Sequence, residues 1–196
     1  MLIAITGGIG AGKSVVSRIL AAMGYSVYDC DKRARSIIDS SRDILRQISD
    51  NISASVVSDD WRLDRSALAG IVFSDGEKLR ILNSITHGAV RSDLANWVRE
   101  RECFEKLLFV ETAILYQSGL DRMVDCVWEV TAPKDVRIMR VISRDGADYT
   151  SVERRIVSQN ISGFEPHRNV REIVNDGVTP VLVRVLGLLE ETDSVV

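Results

Sequence analysis

The chain has no run of 18 apolar residues, so a membrane-spanning helix is not expected. Cysteine is scarce: Cys30, Cys103 and Cys126 are odd in number, widely spaced and form no C-x-x-C. That argues against a disulfide framework and for a reducing, cytoplasmic setting. Histidine occurs only at 87 and 167, too few for a Cys/His zinc site. Lysine appears five times against 20 arginines, and the formal net charge is −3, so there is no overall basic excess of the kind that marks a nucleic-acid binder. There are no internal repeats and no low-complexity segments. An apolar strand pattern begins at residue 2, and a signal peptide is accordingly not expected.

What the chain does have is concentrated near residue 10. Gly7-Gly8-Ile9-Gly10-Ala11-Gly12-Lys13-Ser14 fits G-x-x-x-x-G-K-[ST] in full. Leu2-Ile3-Ala4-Ile5 before it reads as a buried strand, and Val15, Val16, Ile19, Leu20 and Met23 after it form an apolar stripe at helical spacing. Strand, glycine loop and helix in that order are the context of a phosphate loop. Its glycines let successive N–H groups turn toward phosphate oxygens, and the helix adds free N–H groups and the positive end of its dipole. Lys13 would reach the β- and γ-phosphates, and the Ser14 hydroxyl would ligate Mg²⁺. Gly8, Ile9, Gly10, Ala11, Gly12, Lys13, Ser14 and Val15 are therefore candidate ATP contacts. A plain glycine turn would need neither the lysine nor the serine. A dinucleotide fingerprint fails as well, because Lys13 stands where its third glycine is required.

With 196 residues, 45% hydrophobic and 27% charged, the chain is sized for one domain, or one core carrying inserted subdomains. Short apolar runs alternate with longer amphipathic stretches, the α/β pattern. Strands are expected at about 2–6, 26–30, 107–111, 126–131 and 171–174. Asp64 can cap one helix, a long amphipathic stretch runs from about 75 to 100, and Pro133 starts another helix. Thr150-Ser-Val-Glu153 reads as a capping box. Thr179-Pro180 opens the last helix, with Val181, Leu182, Val185, Leu186 and Leu189 expected to face inward. About 75 residues separate the second strand from the third, far more than one crossover helix needs. A helical insertion belongs there, and it would make a second-substrate pocket.

Several polar residues could carry chemistry. Asp29-Cys30-Asp31 is expected to end the second strand, with Asp29 and Asp31 on one side of it. Asp31, the outer of the two, could accept a proton from an acceptor hydroxyl or orient it for in-line attack; it could equally cap the following helix. Arg35 lies one helical turn on and could bind substrate phosphate or pair with Asp31. Arg137, Arg140 and Arg144 share one helix face, where they could meet the transferring phosphoryl group or face water. Gly146 would stop that helix, so a two-helix flap across about 134–165 is expected. Glu111, after the third strand, could be a metal-linked acid or a cap.

Taken together, these segments resemble the dephospho-CoA kinase family. Thr6 to Ser14 is similar to that family's phosphate loop. Val27-Tyr-Asp-Cys-Asp31 with Ala34-Arg35 resembles its D-x-D-x-x-A-R motif, and Leu82-Asn83 with His87 its L-N-x-x-x-H segment. Arg140-x-x-x-Arg144-Asp145, Arg155-Ile156 and Gln159 resemble its lid pattern, and Ile173-x-Asn175 its late I-x-N. The matches run from residue 6 to 177 in family order. The chain departs from the pattern at Gly88, where the family usually has Pro, and at Ala113 and Gln117, where it usually has Pro and Glu. It also carries Val174 for Asp and Val15 for Thr.

The resemblance implies transfer of the ATP γ-phosphoryl to the ribose 3′-hydroxyl of dephospho-CoA, the last step of CoA synthesis. It implies a P-loop NTPase fold: an α/β three-layer core with a five-stranded parallel sheet, a helical substrate-binding insertion and a two-helix lid. The corresponding limits are 1–31, 103–133 and 168–196 for the core, 32–102 for the CoA-binding insertion and 134–167 for the lid. Asp31 would be the base, with Lys13, Arg140 and Arg144 acting on the phosphates. Thr6, Arg35 and His87 would contact the acceptor, and Asn175 would lie near the adenine. Neither a nucleic-acid partner nor a membrane is expected. Two other classes compete: a nucleotide or shikimate kinase, and a GTPase-type switch. The second would want a guanine-specifying N-K-x-D, which the sequence lacks.

Overall fold

The computed structural model describes residues 1–159 and 164–193. The parts of the expected lid at 160–163 and of the expected core at 194–196 lie outside the described residues. The described chain divides into two compact units, Met1–Tyr28 with Val98–Val196, and Asp29–Trp97. The expected insertion limits, 32 and 102, lie near those of the second unit but do not coincide with them.

The first unit is built on a five-stranded, all-parallel sheet in the order β2-β3-β1-β4-β5. Its strands are β1 (Leu2–Thr6), β2 (Val27–Asp29), β3 (Leu108–Glu111), β4 (Cys126–Thr131) and β5 (Val170–Val174). β1 lies in the middle, with Ile3 opposite Phe109 of β3 and Cys126 of β4. A parallel strand covered on both faces must be apolar throughout, and all five residues of β1 are buried. From β1 the chain crosses to β2 on one side of it, and from β3 it crosses back over β1 to β4 on the other. The end of β1 is therefore the switch point of the sheet, where α/β folds place their ligands. α1 (Lys13–Ala22) and α8 (Val181–Asp193) pack on this sheet, and Val16, Leu20, Val185, Leu188 and Leu189 join Ile3, Ile5, Phe109, Trp128 and Ile173 in its core.

Two helix expectations in this unit need correction. In α7 (Tyr149–Ser158) the cap is Asp148, whose carboxylate accepts the Ser151 N–H at 2.9 Å, so Thr150 and Glu153 form no capping box. Starting there lets Val152 and Ile156 turn onto α6 (Lys134–Asp145), where Ile138 and Val141 complete a small core of their own. In α8 the inward stripe is Val185, Leu188 and Leu189, with Val181 packed beside it, while Leu182 and Leu186 are 50% and 40% exposed. The sequence of α8 is apolar on more than one face, so periodicity alone could not pick the face the sheet covers.

The second unit is helical: α2 (Cys30–Ser40), α3 (Arg42–Asn51), α4 (Arg65–Ser74) and the greater part of α5 (Gly76–Arg101). Capping sets each start. Asp29 accepts the Lys32 N–H at 3.0 Å, Ser41 the Ile44 N–H, and Asp64, as expected, the Ala67 N–H at 2.9 Å. Asp75 accepts the Glu77 and Lys78 N–H groups ahead of α5. Ile44, Leu45, Ile48, Ile52, Val56, Leu68 and Val72 give this unit its own apolar centre. A two-pronged Arg33–Asp93 pair ties α2 to α5, with both hydrogen bonds at 2.9 Å.

Candidate active site

The candidate site grows from the turn between β1 and α1. Gly12 precedes α1 in the left-handed region, φ 98° and ψ 30°, and α1 has no side-chain cap. No side chain occupies the start of α1, where a helix can offer backbone donors to an anion, and the Val15 N–H donates to Gly12 O at 2.9 Å. Gly12 is confined by a second condition: a Cβ there would run into the Asn175 amide nitrogen. Asn175 itself is buried. Its Nδ2 donates to the Ala11 carbonyl at 2.8 Å, and its backbone N–H donates to Thr131 O at 2.8 Å. The end of β5 is in this way bolted to the loop and to β4. Lys13 Nζ donates to Gly7 O at 2.9 Å.

α6 and α7 close on the same loop. Arg137 Nε donates to Ile9 O at 2.8 Å, and burial lowers the pKa of its guanidinium below the ordinary arginine value. Arg140 Nη1 donates to Asn175 O at 2.9 Å and to Gly10 O at 3.5 Å, and its Nη2 to Asn175 Oδ1 at 3.3 Å. Gln159, at the end of α7, accepts the Ile9 N–H through Oε1 at 2.6 Å. The Ile9 side chain packs against the α6–α7 core. A cavity of about 410 Å³ opens beside these groups, lined among others by Gly8, Ala11, Glu129, Thr131, Arg137 and Gln159.

Backbone donors and a lysine lie on one side, and two guanidinium groups approach from a helical hairpin on the other. A family model of dephospho-CoA kinases matches residues 1–178. The chain belongs to the dephospho-CoA kinase family. A dephospho-CoA kinase from Porphyromonas gingivalis is 41% identical over 157 residues, 80% of this chain and 76% of that protein. One from Bacteroides fragilis is 34% identical over 187 residues, 95% of this chain and 90% of that protein. A solved structure from Thermus thermophilus has a TM-score of 0.81 at 30% identity and covers 98% of this chain and 97% of its own.

Within that family frame, the residues singled out from the sequence fall into three groups. Gly8 to Val15, Arg140 and Asn175 come together in the first unit. Asn175 contacts the loop and Arg140 directly. Thr6 is buried as the last residue of β1.

Arg144 belongs to the same helix as Arg140 but is engaged elsewhere. Its Nε and Nη2 donate to the two oxygens of Asp145, at 2.6 and 3.0 Å, and these bonds hold the Asp145 carboxyl below the usual carboxylate range. The face expected to carry three arginines therefore presents Arg137 and Arg140 to the loop. Asp145 also receives Arg155 from α7.

The third group lies in the second unit. β2 stops at Asp29, which caps α2, so Asp31 is the second residue of a helix and not the last of a strand. The expectation that Asp29 and Asp31 share one side of a strand is overturned because Asp29 spends its carboxylate on the Lys32 N–H. That leaves Asp31 exposed in the first helical turn, one turn before the exposed Arg35. No ion pair joins the two among the described residues. His87 lies half-buried in α5, and burial, assisted by Arg91, lowers its pKa. Glu111, in the first unit, ends β3 and is half-buried.

Glu129 is not singled out by the sequence, and Gln159 enters it only as a letter of the lid pattern. Glu129 lines the cavity, and its signal was available: it is the one acid in the apolar strand Cys126-Val-Trp-Glu-Val-Thr131. Gln159 was visible as part of a pattern, but its bond to Ile9 spans 150 residues and has no local signature.

The bolting role of Asn175 leads to a direct expectation. Asn175→Ala removes the partners of the Ala11 carbonyl and of Arg140 Nη2 and should cost about 1–3 kcal/mol, the usual penalty for orphaning buried polar groups. At about 2–4 °C for each kcal/mol in a chain of this size, the loss is readable by thermal melting. An unchanged melting temperature would show that the Asn175 bonds carry no stability.

Proposed function

We propose that this chain transfers the γ-phosphoryl group of ATP to the 3′-hydroxyl of the dephospho-CoA ribose, giving CoA and ADP. The observation that carries this reading is the family match across residues 1–178, which takes in the loop, the second unit, the α6–α7 hairpin and Asn175 together.

The chemistry is a displacement at phosphorus. As the acceptor oxygen bonds to the γ-phosphorus, the bond to the β–γ bridging oxygen breaks and ADP leaves. The acceptor hydroxyl loses its proton in the same process. Asp31 receives that proton, or aligns the hydroxyl so that it departs, and its exposure on α2 leaves both oxygens available for the task. Lys13 and the α1 N–H groups hold the β- and γ-phosphate oxygens. Arg140 and the Arg137 guanidinium, joined by Arg144 once it leaves Asp145, offset charge on the phosphoryl group as it moves. Thr6, Arg35 and His87 serve the acceptor. Asn175, beyond its structural bonds, borders the nucleotide.

A Mg²⁺ ion fits this donor set. The Ser14 hydroxyl is exposed and makes no hydrogen bond among the described residues, so one protein oxygen is on offer at the loop. The described residues hold no cluster of three or more His, Cys, Asp or Glu that would bind a metal by itself. A cation that takes one or two protein oxygens, keeps waters and relies on substrate phosphates suits such a site. When bound there, Mg²⁺ neutralises developing charge on the phosphate oxygens. No described helix is long and apolar enough to cross a membrane.

The test is an acceptor panel. ATP consumption is measured with dephospho-CoA, with nucleoside monophosphates, with shikimate and with no acceptor. Consumption should rise well above background with dephospho-CoA alone, and the product should carry a new 3′-phosphate. Equal consumption with and without dephospho-CoA would overturn the assignment.

A further inference from the structure

The hairpin reaches the phosphate loop by two kinds of bond, and they differ in what they leave available. Arg137 and Arg140, on α6, donate to the carbonyls of Ile9 and Gly10. Bonds to carbonyls leave the N–H groups of the loop available for an anion. Gln159, at the end of α7, does the opposite: its Oε1 takes the Ile9 N–H at 2.6 Å. A backbone N–H has one proton and serves one strong acceptor at a time. Ile9 lies inside the Gly7–Ser14 loop, so Gln159 fills one donor of an anion cradle with a neutral oxygen. The cavity of about 410 Å³ that borders Gln159, Gly8 and Ala11 gives the side chain room to swing clear.

We propose that Gln159 is a positioning residue whose amide oxygen holds the Ile9 N–H in place of a phosphate oxygen and yields it when ATP binds. Before ATP arrives, the bond keeps the loop amide satisfied and fastens the end of α7 to it. On binding, a charged oxygen replaces a neutral one, a favourable exchange because hydrogen bonds to ionised acceptors are the stronger kind. Release of Gln159 frees the end of α7 at the moment the phosphates occupy the loop. The inference rests on the kinase reading only in taking ATP as the anion, and it does not depend on the acceptor.

Two variants separate the acceptor role from mere packing. Gln159→Met keeps the length of the side chain and loses the carbonyl. Gln159→Glu keeps an acceptor and adds a negative charge. Equilibrium binding of Mg·ATP, with no acceptor present, should be tighter for Gln159→Met than for the parent chain, by about two- to tenfold, the worth of one neutral hydrogen bond. Gln159→Glu should bind more weakly than the parent. Amide exchange followed by NMR adds an independent readout: the Ile9 N–H should be protected in the ligand-free parent, lose protection in Gln159→Met, and regain it with Mg·ATP. A purely structural residue would weaken binding when truncated. Unchanged or weaker binding by a folded Gln159→Met, or a protected Ile9 N–H in that variant without ATP, would overturn the proposal. The kinase reading fails separately, if the parent chain itself binds no ATP or shows no acceptor-dependent turnover.

Discussion

Asp31→Asn should lower turnover with ATP and dephospho-CoA by about 10²–10⁴, the range lost when a general acid–base group is removed. ATP binding should stay within about twofold, because the substitution changes a group assigned to the acceptor and leaves the Gly7–Ser14 loop untouched. Asparagine matches the size of aspartate and cannot take the proton. The substitution is also mild for the fold. Asp31 is exposed and caps nothing, so its structural contribution is a favourable charge in the first turn of α2, worth about 0.3–1 kcal/mol. Asp29→Ala is the companion measurement. It removes the bond to the Lys32 N–H and should cost about 1 kcal/mol of stability. Steady-state kinetics and melting on both variants therefore distinguish the base from the cap. Full turnover in Asp31→Asn would reduce Asp31 to a partner of the helix dipole.

Gly12→Ala should abolish measurable ATP binding while the rest of the first unit stays folded. Two independent conditions meet at this position. A non-glycine residue in the left-handed region costs about 1–2 kcal/mol, and Gly12 has φ 98°. The added methyl would also meet the Asn175 amide, which cannot withdraw without giving up Ala11 O and Arg140. Relief must come from moving the loop, and moving the loop turns its N–H groups away from the phosphates. Titration calorimetry with an ATP analogue reads the loss. Gly88→Ala is the control: a Cβ at that helical glycine meets nothing within 4 Å, and alanine is the better helix former by about 1 kcal/mol. ATP affinity in Gly12→Ala within tenfold of the parent would mean that the loop has slack the structure does not display.

Much of this fold was legible because buried parallel strands leave a simple trace. β1, β3 and β4 are near-continuous apolar runs, and their limits fall within one residue of those read from the sequence. The loop was legible because its glycines and lysine answer to local demands: Gly7, Gly10 and Gly12 take positive φ, and Lys13 bonds to the Gly7 carbonyl. The failures share a cause too. At Asp29-Cys30-Asp31 two carboxylates compete for one cap, and the winner is decided by where the strand lets go of the sheet. At 148–153 an aspartate two residues upstream takes the cap from a threonine. In α8 and at Arg144, the choice of face and of partner depends on neighbours distant in sequence or on a flexible side chain finding the adjacent Asp145. Asn175 and Gln159 were visible as letters in a pattern, but their bonds to residues 11 and 9 are tertiary contacts with no periodic signature.

The way the loop meets β4 bears on how such a chain can diverge. At Gly7 an added Cβ would strike the carbonyl oxygen of Val130, and at Gly10 the carbonyl of Arg137 at 2.5 Å. Both obstacles are main chain, and every amino acid presents the same carbonyl. No truncation at 130 or 137 could make room for a side chain at 7 or 10. Compensation between these pairs is closed off, so the two glycines stay fixed whichever side chain the packing selects at 130 or 137. Pairs of this kind leave no covariation for a sequence comparison to find.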